Sequence, residues 1–299
     1  MDIREEALAQ WTSGFANALR PIQYDSNFAK LIAERERESE QIVGKHLQPW
    51  LQILEDSIQW LANLTGILDR LNTDEKLENA ERSIWALVGA SCAHAIAVRR
   101  LVLSGLDTPA RAEVRTLDEH LCACIAFLHD RKLAEHFQQC QSKKEANQFW
   151  YKHLNTKELK KHLNAVEQAV GLEQIISSDM RAWRGNEIEW FSQAVHPSYL
   201  GAALATHTLS AADPDVTGPS FLGMASACSE RTLHFACKSI WYFSRFGFMM
   251  LFNEYKSMLP VISLEKDDEM HQVVVVGRQV LQELNQKYWS YEIFPSAEA

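Results

Sequence analysis

Glycine and proline are scarce in this chain, 12 and 8 among 299 residues, and almost no run of β-branched residues is bounded by turn signals. That scarcity argues against short strands joined by tight turns and in favour of long helices. No Cys-x2-Cys pair occurs among the six cysteines, and the start MDIREEALAQW lacks the positive start followed by an apolar stretch that a secretory leader needs. The thiols are therefore expected to be free, in a reducing compartment, with the cytoplasm as the expected location. No Gly-x4-Gly-Lys loop, Gly-x-Gly-x2-Gly fingerprint or Gly-x-Ser-x-Gly elbow is present, which removes the common nucleotide-dependent and hydrolase designs, and no cofactor is expected. Positive charge is also in deficit. The formal net charge is −9 and the pI about 5.7, unlike a protein whose whole surface neutralises phosphates.

What the chain does have is 46% hydrophobic and 10% aromatic residues over a length sufficient for one large domain or two ordinary ones. The expected fold is all-α, a multi-helix bundle. Helical periodicity predicts segments near 2–19, 25–45, 48–71 and 75–104, the last amphipathic through Ile84, Leu87, Val88, Cys92, Ala95 and Val98. Asp107-Thr108-Pro109 has the grammar of a helix start, and that helix should run to His129. Shorter helices follow at 131–140, 143–153, 156–170 and 180–195, and then His196-Pro197 breaks the pattern. Long helices near 219–258 and 265–287 close the chain. Residues 1–74 read as an N-terminal helical extension and 75–299 as the bundle, with a loop near 210–220 marked by SAADPDVTGPS. The mixed charges of Ala33–Gln41 read as a solvated helix face. Phe235–Phe252 is strongly apolar, but Lys238 and Arg245 leave no clean span of about 20 residues, so a buried core helix is expected and no membrane partner.

The segment Gly105–Asp130, GLDTPARAEVRTLDEHLCACIAFLHD, concentrates the chemistry. On one helix Val114, Leu117, Leu121, Cys124 and Leu128 form an apolar stripe, while Arg111, Arg115 and Glu119 step by four on a neighbouring face. Two readings compete. Arg115 with Glu119 forms an ion-pair ladder that is either exposed or covered by another helix. Arg115-x4-His120 instead resembles the spacing in HEPN-class (higher eukaryotes and prokaryotes nucleotide-binding) ribonucleases, where histidine moves a proton and arginine steadies phosphate charge. Residues five apart point about 140° away from each other, so that pairing requires a second subunit or a distorted helix. Cys92 and His94, or Asp118 to His129, are rich in ligand atoms without a metal signature, and the aromatic run Trp241–Phe252 reads as core.

Ile84–Leu128, with Arg115-Thr116-Leu117-Asp118-Glu119 inside it, and Trp190–Ala203, with Ser192-Gln193-Ala194-Val195-His196-Pro197-Ser198, together resemble a bacterial helical family of unknown function, DUF5677. The resemblance covers roughly residues 80 to 255. It implies a HEPN-like helical bundle associated with defence or stress genes. It also implies a shared site in which Arg115 and Glu119 face Ser192 and His196 across a helix pair, with His120 a local addition. One feature departs from the HEPN pattern: the nearest arginine ahead of His196 is Arg184, twelve residues upstream. The expectation is a homodimeric protein acting on RNA, with a non-catalytic helical interaction module as the alternative.

Overall fold

The computed structural model describes residues 3–15, 28–171, 174–196, 199, 208–209, 217–218, 227–252, 262, 265 and 267–288. Among them the chain is an all-α bundle of eleven α-helices. These are α1 (Ile3–Phe15), α2 (Phe28–His46), α3 (Trp50–Thr73), α4 (Asn79–Leu103), α5 (Asp107–His129), α6 (Arg131–Gln139), α7 (Lys143–Phe149), α8 (Thr156–Ala169), α9 (Gln174–Val195), α10 (Ala227–Leu251) and α11 (Glu269–Tyr288). A π-helical turn, Trp150–Leu154, joins α7 to α8. The expected loop at 210–220 lies mostly outside the described residues; Thr208–Leu209 and Thr217–Gly218 at its rims pair antiparallel.

Local rules place most boundaries. Asp130 accepts from the backbone N–H groups of Lys132 and Leu133 at the start of α6. Ser142 and Glu145 form a reciprocal capping box on α7, and Asn155 caps α8. Between α4 and α5, Gly105 adopts φ +72°, and its amide and that of Leu106 close back on the carbonyls of Val102 and Leu101. That left-handed turn is open to glycine at little cost. The helix expected from 75 begins at Asn79 instead. Glu75 takes φ +57° and Lys76 bonds back to Leu71, so five residues, Asp74 to Glu78, are used in the turn after α3.

α5 lies at the centre, packed by α4, α10, α9 and α8. Its stripe Val114, Leu117, Leu121, Cys124 and Leu128 is buried. α3 belongs to the same core: it packs on α4, α10 and α11, with Trp50 and Trp60 fully buried, and the Trp60 indole donates to the Val274 carbonyl of α11 at 2.9 Å. α10 carries the aromatic run inward, with Tyr242, Phe243, Phe246, Phe248 and Phe252 buried and Trp241 at the margin. One helix among the described residues, α4, is long and apolar enough to cross a membrane, and it is packed between α3 and α5. The six cysteines are free thiols, four of them buried.

Candidate functional site

The helical wheel puts Arg115 and Glu119 on one face of α5, and the structure joins them, with Arg115 Nε donating to Glu119 Oε1 at 2.9 Å. The pair is neither an exposed ladder nor a sealed one; the two side chains retain 16% and 33% of their exposure. α9 supplies the third member. His196 caps the end of that helix, its amide bonded to the Ser192 carbonyl at 3.1 Å, and its Nε2 lies 3.4 Å from Arg115 Nη1. A guanidinium can only donate, so a hydrogen bond in this contact requires the imidazole tautomer in which Nε2 accepts. Three of the five expected residues thus meet at one partly solvent-facing point.

The other two sit apart in chemistry. Ser192 lies one turn before His196, but its hydroxyl donates to the Ile188 carbonyl at 2.6 Å. His120 faces α4, where its ring packs edge-on against His94 at 5.1 Å, and His94 Nδ1 is 2.6 Å from Glu113 Oε2. Burial, and then the neighbouring His94, lowers its pKa to about 4, so it is neutral near pH 7. The Arg115-x4-His120 spacing therefore does not describe a shared site: the two side chains serve different helix pairs.

Beneath the cluster a buried polar network holds α5, α8, α9 and α10 in register. Asp118 Oδ1 accepts from Ser239 at 2.8 Å and lies 3.4 Å from Arg184 Nη2. The Arg184 guanidinium sits 4.0 Å over the Tyr242 ring, whose hydroxyl donates to Glu167 at 2.9 Å. Burial pushes the Tyr242 hydroxyl and the Cys122 thiol up, so both stay protonated. A second knot forms at the start of α5. Asp107 does not cap the helix; its carboxylate lies 2.9 Å from Arg111 Nε and accepts from Thr232 at 2.9 Å. The ring of Trp190 is flanked by Arg111 and Arg231 at 4.8 and 4.3 Å, with Arg231 forked onto Glu187. Arg111 is fully buried, which corrects the expectation that it continues the Arg115–Glu119 ladder.

Arg184, Glu167, Trp190 and Arg231 were not singled out from the sequence as members of these networks, because no spacing rule says which arginine a neighbouring helix will cover. Among the described residues, none of the ligand-rich side chains of α5 belongs to a group of three metal-ligating side chains. Among the described residues the one such group is Glu265, Asp268 and His271, and there Arg70 already holds Asp268 at 2.6 Å. Comparison with family models, curated proteins and solved structures finds no match to this chain.

Proposed function

We propose that this chain acts on RNA, with the Arg115–Glu119–His196 cluster cleaving the phosphodiester. The observation that carries the proposal is the meeting of a guanidinium and an imidazole, 81 residues apart in sequence, at 3.4 Å on a face open to solvent. Glu119 fixes the guanidinium through Nε; a bound phosphate oxygen would take over the Nη1 N–H that now meets His196, which also frees Nε2. His196 Nε2 takes the proton of the ribose 2′-hydroxyl as that oxygen attacks phosphorus, and Arg115 stabilises the charge that builds on the phosphoryl oxygens. The 5′ oxygen leaves with a proton from water, and the hydroxide so formed takes the proton held on His196, which resets the imidazole. Arg184 is part of the scaffold in this scheme, because Asp118 and Tyr242 already hold its guanidinium. The resemblance to the DUF5677 and HEPN-like helical domains supports extending the proposal to a cytoplasmic, homodimeric effector of defence or stress response.

A non-catalytic helical interaction module is favoured by a separate observation: the Ser192 hydroxyl is spent on the Ile188 carbonyl, and Asp118 Oδ1 is taken up by Ser239 and Arg184. Incubating the purified protein with a mixed RNA pool, with and without divalent metal, separates the two. Folded Arg115→Ala and His196→Ala variants are expected to lose cleavage by about 100-fold or more, the scale of removing an acid/base or an oxyanion donor. No cleavage by the intact protein, or equal cleavage by all three, refutes the catalytic reading and leaves the interaction module.

A further inference from the structure

An overall charge of −9 hides one basic region. From Arg131 to His162 there are eight lysines and arginines against three glutamates, a net +5. Arg131 is neutralised by Glu78, Glu81 and Glu135, and Lys161 by Glu158. Lys132, Lys143, Lys144, Lys152, Lys157 and Lys160 are all exposed, and none closes an ion pair among the described residues.

These lysines lie on consecutive elements, α6 to α8, that meet around the π-helical turn. The His136 ring of α6 lies 5.6 Å from that of His153 in the π-helical turn, both rings pack on Phe149 at 5.0 Å, and α8 packs on the same turn. Trp150 and Tyr151 stand beside each other on this turn at 5.0 Å, and Tyr151 is 72% exposed. The i→i+5 bond from Asn155 N–H to the Trp150 carbonyl widens the helix at this point. Such turns recur at functional sites. At the far side of α8, Lys160, Arg181 and Arg184 border a small cleft together with Glu167, which pairs with Arg181 at 3.2 Å; Arg184 Nε is buried there without a hydrogen-bond partner.

We infer that the surface formed by α6, α7, the π-helical turn and α8 binds single-stranded RNA, its lysines tracking the phosphates and Trp150 and Tyr151 stacking on bases. Naming RNA as the ligand rests on the function proposed above; the charge and the aromatics stand on their own. Exposed cations with interleaved aromatic faces are what a single strand requires, whereas a duplex hides its base faces. An anionic membrane would require an apolar face to insert. Here Phe149, Leu159 and Leu163 point inward, and the large hydrophobics exposed in this stretch are Trp150 and Tyr151. Arg184, at the cleft, lies twelve residues before His196 on α9 and its end, or about 18 Å along the axis. A strand of a few nucleotides spans that distance.

The test is fluorescence anisotropy of a labelled, unstructured 20-nucleotide RNA with the full chain carrying Arg115→Ala, so that binding is read without cleavage. With about four phosphates neutralised, affinity is expected to fall about 50-fold between 50 and 200 mM salt. Reversing Lys143, Lys144, Lys152 and Lys157 to glutamate is expected to abolish most of this salt dependence and weaken binding at 50 mM salt by more than tenfold. Tyr151→Ala should cost about tenfold with the salt slope unchanged. Circular dichroism and thermal unfolding of both variants should match the parent, because the replaced side chains are exposed.

Failure of RNA to bind at 50 mM salt, or equal binding by the charge-reversed protein, overturns the inference. So does binding to phosphatidylserine vesicles that RNA does not displace. RNA binding on this surface without cleavage by the native chain leaves the inference intact and refutes the catalytic reading. Cleavage unaffected by the lysine reversals does the opposite.

Discussion

Replacing Asp118 with asparagine removes one charge, keeps the side-chain size and keeps an oxygen for Ser239. It leaves Arg184 buried without its carboxylate. The two side chains retain 3% and 8% of their exposure, so water cannot take over the guanidinium. Breaking a buried pair from one side costs about 3 to 5 kcal/mol. The face of Tyr242, 4.0 Å from the Arg184 guanidinium, retains some of the interaction, which places the expected loss near 3 kcal/mol. For a chain of this size that corresponds to a fall of about 6 to 12 °C in Tm. Arg115→Ala breaks a pair that remains partly open to water and should cost under about 1 kcal/mol. A variant combining Asp118→Leu, Arg184→Met and Ser239→Ala deletes the charges and the orphaned hydroxyl together, and should return to within about 2 kcal/mol of the parent. Urea unfolding followed by near- and far-UV circular dichroism reads all three, with coincident transitions confirming a single cooperative step. A loss under 1 kcal/mol for Asp118→Asn, or no recovery in the combined variant, would refute the claim that this network anchors α9 against α5.

Acid should destabilise the fold before the carboxylates titrate. Burial, then the neighbouring Lys238 and Arg231, lowers the His234 pKa to about 3, and His120 is lowered to about 4. The unfolded chain takes up these protons near pH 6.5, so this contribution is intact above that pH and is lost as pH falls through the window down to the folded values, by up to about 2 kcal/mol for each histidine at pH 5. Thermal melts between pH 8 and 5 should show the slope, and His234→Phe, which keeps a ring against Trp50, should remove about half of it; a flat profile would show that neither histidine is buried neutral. Gly277→Ala tests the α3–α11 contact, because the added methyl would lie 2.9 Å from the buried Trp60 ring. Overpacking of about 1 to 3 kcal/mol should outweigh the helix-propensity gain of about 1 kcal/mol, so an unchanged or higher Tm would contradict that packing.

The cluster itself was partly legible. An i,i+4 spacing puts Arg115 beside Glu119 on any straight helix, and no tertiary contact is needed to know it. His196 entered through the Ser192–Ser198 motif and its resemblance, not through spacing, since nothing local relates residues 115 and 196. The four-residue step assigns Arg111 to the charged face, although Arg111 sits about 20° from Asp118 on the wheel and both lie within about 60° of Val114. Position at the border of an apolar stripe makes burial dependent on how wide a neighbour lies over it, and α9 and α10 cover both residues. The basic surface was hidden in another way. A net charge of −9 averages over the whole chain and masks the +5 stretch, which a local count reveals, whereas the meeting of His136 with His153 depends on α6 folding against the π-helical turn.

Short-range rules account for the all-α class, for the caps Asp130, Ser142–Glu145 and Asn155, and for the inward stripe of α5, because each depends on residues within one or two turns. Which arginine is sealed, which histidine stays neutral and which helix brings an imidazole to Arg115 depend on how helices distant in sequence cross. Those outcomes are set by packing and desolvation across the bundle, where burying a charge without its partner costs more than any local preference can offset.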